Sequence, residues 1–109
     1  MNYDSNNIFA KILLGSIPCQ KIYENDKVLA FKDIYPKAKV HVLVIPKIPV
    51  SSFEVFAKEN TLLVGEFFQS VNFIATEVLN LKENFKLVIN NGEKGGQEIF
   101  HFHVHILSN

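Results

Sequence analysis

Arginine is missing from this 109-residue sequence, and so is tryptophan; all 11 basic side chains are lysines. Any phosphate bound here must be held without the bidentate fork of a guanidinium, which leaves backbone N–H groups, amides, hydroxyls and imidazoles. Net charge is lacking too, since 11 acidic residues balance the lysines. That removes the electrostatic footprint expected for nucleic-acid polymers or an anionic membrane, and neither is an expected partner. The lone Cys19 excludes an intramolecular disulfide. The stretch "MNYDSNNIFAKILLG" has neither the basic start nor the apolar run of a secretory leader, and no apolar stretch is long enough for a bilayer span. A reducing cytoplasm is the expected compartment. Repeats and low-complexity tracts are absent, and 109 residues suffice for one hydrophobic core, so residues 1–109 read as one domain.

What is present reads as an α+β chain. Asn6 and Asn7 can cap a short helix through "IFAKILL", with Gly15 as a left-handed stop. "KIYE" and "VLAFKD" read as strands joined by a turn at Asn25 and Asp26, and "VHVLVIP" is a β-branched strand closed by Pro46. Ser51 and Ser52 mark a helix start. A long helix runs from Thr61 to about Leu81, with Val64, Phe68, Val71, Ala75 and Val78 as its core stripe and Phe73 on the solvent side, open to a helix-to-helix oligomer contact. A terminal hairpin follows: "FKLVIN", the glycine-rich loop "NGEKGGQ", then "EIFHFHVHIL".

That last segment holds three of the four histidines, spaced two apart. As a strand it would put His101, His103 and His105 on one face, roughly 6–7 Å apart, with Phe100, Phe102, Val104 and Ile106 on the other. A wetted row of polar side chains fits poorly, because random placement rarely produces such alternation. Zinc is a sharper alternative, since neighbouring imidazoles can share an ion and His41 could complete a set. Against it, no cysteine lies nearby, and three ligands along one strand span too far for one ion. Nucleophilic catalysis is the third reading: one neutral imidazole attacks, a neighbour handles a proton and another orients the nucleophile. Gly92, Gly95 and Gly96 just upstream allow backbone N–H groups to face an anion, and Gln97 adds an amide donor.

"HFHVHIL" resembles the signature of the histidine triad (HIT) superfamily. "IFAKILLGSIPCQKIYEND", "LAFKDIYPKAKVHVLVIPK" and "VINNGEKGGQEIFHFHVHIL" extend the likeness over nearly the whole chain, towards the Hint branch of purine nucleoside phosphoramidases. The third histidine, His105, separates it from the uridylyltransferase branch, which has glutamine there. The resemblance implies a HIT-like fold: a five-stranded antiparallel sheet, a short N-terminal helix, one long helix, and a homodimer whose two sheets join. It implies hydrolysis of the P–N bond of purine nucleoside phosphoramidates through a nucleotidyl-histidine, with no required cofactor. A dinucleoside polyphosphate hydrolase, or a nucleotide-binding module with incidental turnover, are the alternatives.

By motif, the resemblance makes His103 the nucleophile and His105 the residue that contacts phosphate and helps protonate the leaving amine. It makes His101 an orienting member in a relay with His41. Asn90, Gly96, Gln97 and Glu98 match positions at the phosphate, ribose and leaving group, and Asp33 matches the carboxylate that takes the ribose hydroxyls. Ile8, Phe9, Ile12, Phe31, Ile34 and Leu43 match the apolar slot around the purine. Pro49 stands where the branch often carries another histidine. Many members continue past the position of Asn109 with a glycine-containing tail that reaches the partner's site, so the resemblance says least about the leaving group.

Overall fold

The computed structural model describes residues 2–109. Asn7 caps helix α1 (Ile8–Leu13) by accepting from the Ala10 N–H, and Gly15 at φ +81° turns the chain out of it, as the sequence predicts. The Asn25 side chain accepts from the amides of Lys27 and Val28, which closes the hairpin between β1 (Lys21–Glu24) and β2 (Val28–Lys32). Strand β3 (Val40–Pro46) follows, and Ser52 caps the single turn α2 (Phe53–Phe56).

Helix α3 (Thr61–Phe73), capped by Asn60, passes into one π-turn over Ile74–Val78 and stops at Asn80, which has positive φ. The α-helix thus ends short of the predicted Leu81. The buried stripe is Phe67, Val71, Ile74 and Ala75; Val64 and Phe68 are only partly covered, and Val78, inside the wide turn, is exposed. Phe73 is 45% exposed and rests against Tyr23, ring centroids 5.6 Å apart, so half its ring is used inside the chain.

Strands β4 (Lys86–Val88) and β5 (Val104–Ser108) complete an antiparallel sheet of order β1-β2-β3-β5-β4. Alternation in the strands divides their side chains between two faces. Val28, Ala30, Val42, Val44, Val104 and Ile106 pack under α2 and α3 with Phe56, Phe67 and Phe102. Leu29, Phe31, Leu43 and Ile45 pack with Phe9 of α1 on the opposite face. No helix of the described residues is long and apolar enough to cross a membrane.

Regular pairing of β5 begins at Val104, later than predicted; the first pair is Val44 with Val104. Ahead of it, Phe102 donates its N–H to the Val50 carbonyl, and the His101 side chain takes the carbonyl of Pro46, a residue with no N–H to offer a ladder. Of the three triad histidines, only His105 therefore lies in the strand.

Candidate active site

His41 and His105 face each other across the β3–β5 ladder, which pairs His41 with Leu107 and Leu43 with His105. Their Nε2 and Nδ1 atoms are 2.9 Å apart. His41 thus partners His105; the relay between His41 and His101 implied by the resemblance does not form. His101 is wholly buried, with Nε2 2.8 Å from the Pro46 carbonyl and Nδ1 2.6 Å from the Tyr3 hydroxyl. His103 turns back on the chain, its Nδ1 2.7 Å from the carbonyl of His101.

Backbone groups fix which nitrogen of each ring carries hydrogen, because a carbonyl only accepts and an amide N–H only donates. Pro46 makes His101 an Nε2–H imidazole whose Nδ1 accepts from Tyr3. The His101 carbonyl makes His103 an Nδ1–H imidazole and leaves the lone pair on Nε2. The Lys37 N–H donates to Nδ1 of His41 at 3.1 Å, so His41 carries its hydrogen on Nε2 and donates it to Nδ1 of His105. His105 is left with a free Nε2–H. The cluster presents one imidazole lone pair, on His103, beside one imidazole N–H, on His105; their ring centroids are 5.1 Å apart.

Burial keeps these rings neutral. It pushes His101 and His105 down to about 4, and it lowers His41 and His103 below the ordinary imidazole value. Phe9 meets the His103 ring edge-on at 5.0 Å and packs in the same manner on Phe31.

Asp33, just past β2, donates its own N–H to the His41 carbonyl. Its Oδ1 accepts from Tyr35 and its Oδ2 lies 3.4 Å from Nε2 of His41. Asp33, His41 and His105 form a trio whose donor atoms lie within 4.8 Å of one another. A cation there would require the lone pair of His41 Nε2, moving the hydrogen to Nδ1 against the Lys37 N–H. The trio is therefore wired for a hydrogen bond rather than a metal ion.

The predicted apolar slot separates into two groups. Phe9, Phe31 and Leu43 are buried in the core of this face, whereas Ile12 is partly open, Ile8 is exposed and Ile34 is 81% exposed. Asn90 donates to the Gly95 carbonyl and lies under Gly96, whose φ of +90° favours glycine and where an added Cβ would come within 3.2 Å of the Asn90 amide nitrogen. Glu98 is exposed.

Gln97 departs from its predicted part as a donor to a ligand. Its amide gives both hydrogens to the carbonyls of Ser51 and Ile99, and its oxygen accepts from the Gly92 N–H. The side chain ties the glycine loop to the body of the protein, with no N–H to spare. A cavity of about 620 Å3 opens beside the His41–His105 pair, lined also by Lys37, Lys86, Asn90 and Asn109. Tyr3 and the Lys37 amide escaped sequence reading: the first lies outside every motif, and the second is a main-chain group that only the loop's path reveals.

Fold and site together define an α+β protein with a buried cluster of neutral histidines, set in fixed tautomers at the end of an antiparallel sheet. The HIT domain model matches residues 15–109. An HIT-like protein of Helicobacter pylori is 47% identical over 103 residues, covering 94% of this chain and 95% of that one. Among solved structures, a HIT family hydrolase from Legionella pneumophila superposes with a TM-score of 0.86 at 32% identity, covering 95% of this chain and 93% of the other. A histidine triad nucleotide-binding protein from Candida albicans gives 0.81 at 32% identity, covering 93% and 73%. The chain belongs to the HIT family.

Proposed function

We propose that the protein hydrolyses the P–N bond of purine nucleoside 5′-phosphoramidates, with His103 as nucleophile. The observation that carries this reading is the bond from His103 Nδ1–H to the His101 carbonyl, which leaves the Nε2 lone pair available in a ring kept neutral by burial. Likeness to a hydrolase and to a nucleotide-binding protein of the same fold supports the substrate class.

In the first step the His103 Nε2 lone pair forms a bond to phosphorus. The P–N bond breaks with its electron pair on nitrogen, which takes a proton from solvent and leaves as the amine. His103 then carries phosphorus on Nε2, hydrogen on Nδ1 and a positive charge; the bond to the His101 carbonyl strengthens as that charge develops, so it favours the transition state over the ground state. His105 donates its Nε2–H to a phosphoryl oxygen. Its Nδ1 faces a donor, His41 Nε2–H, so His105 serves as a neutral hydrogen-bond donor rather than a cationic acid. In the second step water attacks phosphorus, His103 leaves with its electron pair restored, and the water's proton returns to solvent. Nucleoside monophosphate is the product.

Asp33 is assigned to the ribose hydroxyls through the Oδ2 that faces the site. Asn90, Gly96 and Glu98 lie at the phosphate and leaving-group end, and Ile8, Ile12 and Ile34 supply the open apolar surface for the base, backed by Phe9, Phe31 and Leu43. The free edge of β4, with Leu87 exposed, suits the family's joining of two sheets in a homodimer. A single domain over residues 1–109 and a reducing cytoplasmic setting for Cys19 complete the reading. Acid-free quenching of a substrate mixture followed by intact-mass measurement tests it: a nucleotidyl adduct on wild-type protein, mapped to His103, is expected. An adduct on another residue, or turnover with none at any quench time, would overturn the nucleophile assignment.

A further inference from the structure

We propose that Tyr3 is a positioning residue for the nucleophile, acting through His101. The proposal rests on the reading of His103 as nucleophile but is argued from different contacts. Tyr3 lies ahead of α1 and outside the family-model match, yet its hydroxyl reaches Nδ1 of His101 at 2.6 Å, 98 residues away in sequence. The two rings meet edge-on with centroids 5.6 Å apart.

Three hydrogen bonds meet on His101, and each constrains the next. Its Nε2–H is held by Pro46, its Nδ1 by Tyr3, and its main-chain carbonyl holds the Nδ1–H of His103. His101 is fully buried, so no solvent molecule outside the protein can take the place of Tyr3 at Nδ1. Without the hydroxyl, a buried imidazole lone pair is left unsatisfied, which is destabilising. The ring can relieve this by moving its hydrogen to Nδ1, but Nε2 then turns a lone pair on the Pro46 carbonyl oxygen. It can instead tilt, and the tilt carries the residue 101 carbonyl away from His103. Either response loosens the one contact that directs the His103 lone pair to Nε2. A segment preceding the first helix thereby sets the tautomer of a residue at the far end of the chain.

The test is Tyr3→Phe, which keeps the ring and its edge-on packing and removes only the donor. Long-range 15N–1H correlation spectra of the imidazoles, recorded without substrate, should show His103 as a single Nδ1–H tautomer in wild type and a mixture in the variant. On an adenosine 5′-phosphoramidate, kcat should fall roughly 5- to 20-fold, with KM within about twofold, consistent with loss of orientation rather than of binding. In a His101→Gln background, whose amide can still donate to Pro46, Tyr3→Phe should cost almost nothing more, because the two residues act in series. An unchanged His103 tautomer, or an equal fold-loss in both backgrounds, would overturn the proposal. The spectra require no turnover, so they decide the part played by Tyr3 even if the phosphoramidate is not a substrate.

Discussion

The main-chain N–H of Lys37 donates to Nδ1 of His41 at 3.1 Å, and that single bond determines the hydrogen placement of two imidazoles. His41 must carry hydrogen on Nε2, and His105, 2.9 Å away, must accept on Nδ1 and keep its Nε2–H free. A backbone amide cannot reverse its polarity, so the arrangement is not exchanged by a rotating hydroxyl or a mobile water.

His41→Ala removes the donor to His105 and frees that ring to adopt either tautomer. We expect kcat to fall about 10- to 100-fold, less than the full range associated with a lost acid–base group, with KM changed little. Steady-state kinetics on a phosphoramidate check this. Wild-type kcat in the variant would show that the His41–His105 bond has no bearing on the reaction.

The same wiring predicts poor metal binding despite the cluster of Asp33, His41 and His105. Elemental analysis of protein purified without a histidine tag is expected to find zinc far below one equivalent, and turnover should be indifferent to a chelator. Stoichiometric zinc that disappears in His41→Ala would mean that the Lys37 bond yields to the ion.

Acid should unfold the protein in a defined window. His101 is pushed down to about 4 by burial, against an unfolded value of about 6.5. Between those values the unfolded chain binds the extra proton, so stability falls as pH drops from about 6.5 towards 4, and no further on this account below that. The loss from His101 alone is on the order of 3 kcal/mol. Denaturant melts across this range check it; a midpoint independent of pH would contradict it. His105 is pushed down to about 4 as well, so its own titration should leave no inflection in kcat/KM near pH 6.5.

Gln97→Ala distinguishes support of the loop from contact with a ligand. Losing partners at Ser51, Ile99 and Gly92 should cost about 2–3 kcal/mol and lower Tm by roughly 5–15 °C, with kcat retained within about threefold at low temperature. An unchanged Tm with a large rise in KM would return Gln97 to the ligand.

Local chemistry was legible in the sequence wherever one residue decides the outcome. Asn7, Gly15, Asn25 and Ser52 do in the structure what their side chains or backbone freedom dictate, and period-two alternation places the β2 and β3 side chains on their proper faces. Less was legible where distant groups compete. The π-turn arises inside a helix whose amino acids are compatible with an ordinary one, and Val78, expected in the core stripe, is exposed within it. The late start of β5 depends on Val50 and Pro46, which claim Phe102 and His101 before the ladder can.

In the site, spacing identified the histidines but not their pairings. His41 faces His105 because of strand register, and His101 faces Tyr3 because α1 and the segment before it fold over that end of the sheet; neither contact has a local signal. The partners of Gln97 have no local signal either. An amide beside a glycine loop has the composition of an anion site, and only the positions of Ser51 and Ile99 show that its donors are taken.

The most direct measurement is steady-state release of AMP from adenosine 5′-phosphoramidate by wild type and His103→Ala, with chelator present in both. Rapid wild-type release, reduced roughly a thousandfold or more in the variant and unaffected by chelator, is the expected result. Equal release by the two proteins would contradict nucleophilic catalysis by His103.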